Sequence, residues 1–131
     1  MIRDNAEASR RLALQAVDAA LTKSAMRPVL LDVSDLATYT DYLLLLSGRN
    51  LRQVEAIAEA VHQGMKEAGY DAISKEGNRG GQWTLIDYGD LVVHVFFHPI
   101  REYYDLEGLW IDAPRVKLDV PAELQMANFY N

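Results

Sequence analysis

The chain contains no cysteine. That excludes a disulfide framework, thiolate zinc sites, iron–sulfur clusters and a cysteine nucleophile. Proline is scarce, 4 in 131 residues, and glycine numbers 8, which argues against a collagen-like or low-complexity chain. Long apolar runs are missing as well. The longest unbroken one covers residues 42–46, far short of the ~20 residues that cross a bilayer. The N-terminal stretch is polar and lacks the apolar centre of a signal peptide, so the expectation is a soluble, cytoplasmic protein. Positive charge is also in short supply: 13 Lys and Arg against 19 Asp and Glu, a net of −6. Nucleic acid is gripped by clustered Lys and Arg. Here residues 29–100 hold five basic and ten acidic side chains, and residues 101–131 hold three and six. Such a field repels phosphates and attracts a basic protein; direct sequence-specific nucleic-acid binding is not expected.

What is present suits a single globular domain. Half of the residues are hydrophobic, and the length fits one sizeable core. Leu14, Val17 and Leu21 recur at helical spacing among alanines, which predicts a helix over 5–23 capped by Asp4. Pro28 marks a boundary. Residues 29–33 and 42–47 read as strands, and the lack of alternation in the second predicts burial on both faces. Leu51, Val54, Ile57, Ala58, Val61, Met65 and Ala68 form one stripe of a helix over 51–68, with Asn50 as its N-cap and Gly69 as its stop. A short polar strand over 72–76 follows, then a glycine-rich loop over 77–81. Strands over 83–88 and 91–97 are joined through Gly89-Asp90 as a two-residue hairpin. That register sets Trp83, Leu85, Asp87, Val92, His94 and Phe96 on one face, and a continuous apolar set on the other, expected to face the core. Pro99 opens a helix over 100–107. Residues 112–131 read as an irregular tail with a last helical turn over 122–127. The order α-β-β-α-β-β-β-α predicts an α+β fold, a mixed five-stranded sheet with helices packed against it, with one domain over 1–111 and the tail beyond.

The patterns that could support catalysis fall short. On a strand, His94 and His98 would lie ~13 Å apart, too far to share a metal ion. Asp87 and His94 are diagonal neighbours; an acid–base pair there needs a nucleophile, Ser47 or Thr84, which no spacing supplies. A structural hydrogen bond from His94 to Asp87 or Asp41 is the simpler reading. Ser47-Gly48 before a helix could cradle a phosphate. A nucleotidyltransferase, however, needs carboxylates two apart on a strand. The chain offers Asp32-x-x-Asp35 and Asp87-x-x-Asp90, whose i, i+3 spacing sends them to opposite faces. No cofactor or metal is expected, and no enzymatic activity; a nucleotide-binding transferase using Ser47-Gly48 is the alternative. Trp83, Tyr88, Tyr103, Tyr104 and Trp110 form an aromatic group in the C-terminal half, a residue class favoured in protein interfaces.

Thr40-Asp41-Tyr42, Ser47-Gly48, Arg52-Gln53-Val54, Glu76-Gly77 with Trp83, the run from Asp87 through Tyr88-Gly89-Asp90 to His94-Val95-Phe96, and Arg101 with Tyr103-Tyr104-Asp105-Leu106-Glu107 and Leu109-Trp110 together resemble the ribosome silencing factor family, RsfS or Iojap. The resemblance covers roughly residues 6–111. It implies a fold like a nucleotidyltransferase core without its catalytic carboxylates. It also implies a non-enzymatic protein that binds the large ribosomal subunit through ribosomal protein L-fourteen and blocks joining of the small subunit, repressing translation under nutrient limitation; a role in large-subunit assembly is the variant reading. Glu76, Trp83, Asp87, Tyr88, Asp90, Arg101, Tyr104 and Trp110 are the expected partner-binding residues. Exposed aromatics could also support a homodimer of the free chain.

Overall fold

The computed structural model describes residues 2–125, with side-chain surroundings from residue 6 onward. Helix α1 (Ile2–Leu21) leads into β1 (Met26–Asp32) and β2 (Tyr42–Gly48). Helix α2 (Leu51–Glu67) crosses to β3 (Ser74–Gly77), β4 (Trp83–Asp87) and β5 (Leu91–Phe97). Two short helices, α3 (His98–Tyr104) and α4 (Leu106–Leu109), precede β6 (Arg115–Val116) and α5 (Ala122–Gln125). The strands form one sheet of six in the order β3-β4-β5-β2-β1-β6. Among the described residues only β2 and β5 run parallel, at its centre; the other pairs are antiparallel. The α+β reading holds, but the sheet has six strands, not five. The sixth, β6, pairs Val116 with Leu30 and Arg115 with Leu31. A two-residue strand carries too little pattern to register in a sequence.

The sheet is a middle layer. On one face α1 and α2 pack Ala13, Ala16, Val17, Val54, Ile57, Val61 and Met65 against Leu30, Leu44, Leu46, Ile86, Val93 and Val95. On the other, Leu31, Val33, Leu43, Leu45, Val92 and Phe96 are covered by Ile100, Leu106, Trp110 and Ala113, with Ala37 packed beside them. Strand β2 is therefore buried throughout, as its unalternating sequence requires. The β4–β5 register pairs Trp83 with Phe96, Leu85 with His94 and Asp87 with Val92, as the hairpin pattern predicts. What the pattern does not predict is that the Val92–Phe96 side forms a second core, because the segment after β5 folds back over it.

Several boundaries move for identifiable reasons. Helix α1 begins at Ile2, so Asp4 lies within it and is not its cap. Strand β1 reaches back past Pro28 to Met26 through a bulge between Met26 and Val29. Arg27 takes a left-handed φ of 48° there, so the proline, which has no N–H to give, is accommodated without ending the ladder. The expected helix over 100–107 is two helices hinged at Asp105, left-handed at φ 47°. At the hairpin, Gly89 has φ 86°, and Tyr88 N donates to Leu91 O at 2.8 Å across the expected two-residue loop, with Asp90 N also donating to Tyr88 O at 3.1 Å. Asn50 caps α2 by accepting from Gln53 N at 2.8 Å, and Gln53 Oε1 accepts in return from Arg49 N at 2.6 Å. The last turn expected over 122–127 is present as α5; residues 126 and 127 lie outside the described residues.

Candidate functional site

The second face of the sheet is only partly covered. Helix α3 lies over β5 and β2, while Glu76 on β3 is exposed and Trp83, Leu85 and Asp87 on β4 are partly buried. Alternation sets these side chains on the same face, since Glu76 pairs with Leu85 and Ser74 with Asp87. A hollow of about 230 Å³ opens there, lined by Glu76, Gly77, Asn78, Trp83 and Leu85.

Trp83 is the centre of this strip. Its ring packs 4.9 Å from Tyr104, 5.0 Å from Phe96 and 5.8 Å from His94, and Tyr103 meets Tyr104 edge-on at 5.1 Å. Its backbone N donates to Asn78 Oδ1 at 2.9 Å, as does that of Gln82, so the loop before β4 is tied down beneath it. Tyr103 (80% exposed), Tyr104 (51%), Leu109 (73%) and Ile111 (73%) lie on the segment that covers this face; Leu36 and Tyr39 on the β1–β2 connection, and Leu14, Leu51 and Ile73 elsewhere, are exposed as well. Contiguous exposed apolar groups mark contact surfaces. The acidic groups Asp87 and Asp90 stand at the hairpin end, ~13 Å along the strand from Trp83. Asp87 Oδ1 accepts from Gly89 N at 2.8 Å, and Asp90 is exposed.

Of the eight expected contact residues, Glu76, Trp83, Asp87, Asp90, Tyr104 and Trp110 have exposed or partly exposed side chains at this face or its margins. Tyr88 and Arg101 do not, and their assignment is corrected. Tyr88 lies on the opposite face, 8% exposed and within the α1–α2 core, where burial pushes its hydroxyl up to about 12. Arg101 is 4% exposed. Its Nη1 donates to Arg27 O at 2.7 Å and to Ser47 Oγ at 2.9 Å, and its Nε to Glu107 Oε1 at 2.8 Å. Burial works to raise the Glu107 carboxyl, but the bond to Arg101 and the charges of Arg101, Arg115 and Arg27 outweigh it and hold it below the usual range. The arginine ties β1, β2, α3 and α4 together, so its guanidinium is committed to the fold.

The histidines also differ from expectation. His98 opens α3 instead of ending a strand, and its Nδ1 lies 2.9 Å from Ser47 Oγ, with Nε2 3.9 Å from Glu102. Sequence spacing offers no route from a histidine to Ser47; tertiary packing makes one across 51 residues. It is not a nucleophile site. Ser47 has no accessible surface, and its hydroxyl is held between Arg101 and His98, so no carbonyl or phosphate can reach it. The same burial covers Gly48, where a Cβ would meet Val54 backbone N at 2.9 Å, so β2 and α2 pack closely there. His94 bonds neither Asp87 nor Asp41. Its Nδ1 accepts from Trp83 Nε1 at 3.0 Å, while Asp41 accepts from Ser9 Oγ at 3.0 Å.

Comparison with known proteins identifies the family. Residues 6–129 match the family described as ribosomal silencing factor during starvation. The chain is similar to the ribosomal silencing factor RsfS of Chromobacterium violaceum, 44% identical over 80 residues, 61% of this chain and 66% of that one. It is similar to RsfS of Halalkalibacterium halodurans, 40% identical over 109 residues, 83% of this chain and 91% of that one. A mouse protein named mitochondrial assembly of ribosomal large subunit protein 1 matches at 31% over 75 residues, 55% of this chain and 33% of that one. The crystal structure of a Chromobacterium violaceum protein superimposes with a TM-score of 0.75 at 33% identity, covering 90% of this chain and 98% of that one. The chain belongs to the ribosomal silencing factor (RsfS) family.

Proposed function

We propose that this chain binds the large ribosomal subunit through ribosomal protein L-fourteen, with the open strip around Trp83 as its docking face, and keeps the small subunit away by occupying the joining surface. The observation that carries the reading is Trp83 itself, a large aromatic ring held in place and left partly exposed beside a hollow, packed against exposed Tyr104. A buried aromatic anchor surrounded by apolar rim contacts is how protein interfaces concentrate their affinity. The net charge of −6 suits a basic ribosomal protein and steers the encounter. Steric exclusion needs a tight patch, ~800 Å² per partner, and no chemistry; the burial of Ser47 and Gly48 removes the support for a nucleotide-handling alternative.

The test is gradient sedimentation with purified subunits. The protein should migrate with the large subunit and, in excess, deplete joined ribosomes. Trp83→Ala should weaken large-subunit binding by ~2 kcal/mol with the fold kept. A protein that stays at the top of the gradient at low salt, or joined ribosomes at normal levels in its excess, would overturn the proposal. The name of the mouse relative supports a second reading, assembly of the large subunit; accumulation of immature large subunits on depletion, with joining of mature ones unaffected, would favour it.

A further inference from the structure

His94 is buried, polar and on the docking face, yet the function as proposed gives it no role. It sits on β5 opposite Leu85 on β4 and beside Leu45 on β2, 7% exposed. Its ring lies nearly parallel to Phe96, 10° between planes with centroids 5.8 Å apart. An imidazole among such neighbours is costly unless its nitrogens are used. One of them is: Nδ1 receives the Trp83 indole N–H at 3.0 Å. The indole can only donate, so Nδ1 is the bare nitrogen and the ring proton resides on Nε2. A half-exposed tryptophan has two χ angles to lose on binding, and a ring fixed in advance loses less. Phe96 and Tyr104 support the faces of the indole, but contacts of that kind permit sliding and in-plane rotation. The bond to His94 gives Trp83 a direction.

We propose that His94 is a positioning residue for partner binding: by accepting the Trp83 indole N–H it fixes the orientation in which Trp83 meets its partner. This rests on the docking reading above. It assigns the histidine a role through tryptophan, with no contact of its own to the partner.

Three chains are compared, the wild type, His94→Leu, which removes the acceptor, and His94→Gln, which returns one as a carbonyl. The first measurement is hydrogen exchange of the Trp83 indole N–H by NMR in the free protein, its resonance assigned by its loss in Trp83→Phe. The second is affinity for purified large subunits. The indole should be protected in the wild type, unprotected in His94→Leu and protected again in His94→Gln. Affinity should follow the same order, with His94→Leu weakened about fivefold, as for one lost hydrogen bond, and most of that regained in His94→Gln. A wild-type indole exchanging like a free one overturns the proposal, as does His94→Leu binding like the wild type, or His94→Gln binding no better than His94→Leu. Should His94→Leu fail to fold, wild-type protection and the His94→Gln affinity decide alone. Failure of the wild type to bind large subunits sinks the docking reading, and the positioning role with it; binding that ignores His94 sinks the positioning role only.

Discussion

Arg101 shows how one side chain can hold a fold that no single element could hold. Its donors reach a bulge carbonyl on β1, a hydroxyl on β2 and a carboxylate on α4, and the carboxylate also meets Arg115 at 3.4 Å. Breaking a buried pair from one side leaves the other charge stranded. Arg101→Met should lower stability by about 3 kcal/mol, read as a shift of the urea midpoint with little change in slope. His94 gives the second residue-scale prediction. Burial pushes its imidazole from 6.5 down to about 4, so between those values the unfolded chain holds a proton that the folded chain does not. Stability from this group is therefore complete above pH 6.5 and lost as pH falls towards 4. From pH 7 to pH 5 the loss should be about 2 kcal/mol, and His98, also pushed down by burial with Arg101 and Arg27 adding and Glu102 opposing, acts in the same direction. Urea unfolding at the two pH values checks it; His94→Gln should flatten the slope.

At the scale of elements, the junctions matter more than the interiors. Helix α2 starts from the bonds of Gln53 N to Asn50 Oδ1 and of Arg49 N to Gln53 Oε1, and Gln53 Nε2 also donates to Ser24 O at 3.1 Å, joining the start of α2 to the turn after α1. Asn50→Ala should cost ~1 kcal/mol of stability, seen as a lower melting temperature. Further along, α1 and α2 cross at a point where a Cβ on Gly64 would lie 2.9 Å from Ala19 Cβ. An alanine β-carbon cannot swing away, so a larger side chain must push the helices apart. Gly64→Val should destabilise by about 2 kcal/mol, although valine is a better helix former than glycine; an unchanged melting temperature would show that the helices separate without cost. The stripe on α2 was readable because its period is local, whereas the glycine's importance depends on what α1 brings against it.

For the whole molecule, one sheet face is sealed by two long helices and the other is half closed by a short returning segment. That asymmetry produces the docking strip: the returning segment buries Phe96 and Val92 but leaves Trp83 at its margin. Acidic groups at Glu76, Asp87 and Asp90 lie on or beside the strip, so binding to a basic surface should depend on ionic strength. The association rate with large subunits should fall as salt rises from about 0.05 to 0.3 M, where the screening length shortens. Glu76→Gln with Asp90→Asn should slow association several-fold at low salt and leave dissociation nearly unchanged, measured by stopped flow. A rate insensitive to both would remove electrostatic steering from the account.

The sequence by itself determined the things that local spacing encodes: α2 from its stripe, β2 from its unbroken leucines, the β4–β5 register from alternation and Gly89, and the family from motifs spread over most of the chain. Trp83 and Tyr104 were legible as contact candidates because interface residues are a compositional type. Only the tertiary structure decided what covers each face and how deeply each side chain lies. The motif carries the same signal for Arg101 whether exposed or buried, and the fold placed it inside, whereas alternation already set Tyr88 on the apolar side of the hairpin. Alternation sets Trp83 and His94 on one face of neighbouring strands, and side-chain packing decides that they bond; Ser47 and His98 are 51 residues apart, and no spacing rule reports their bond, because chain packing alone brings those atoms within reach.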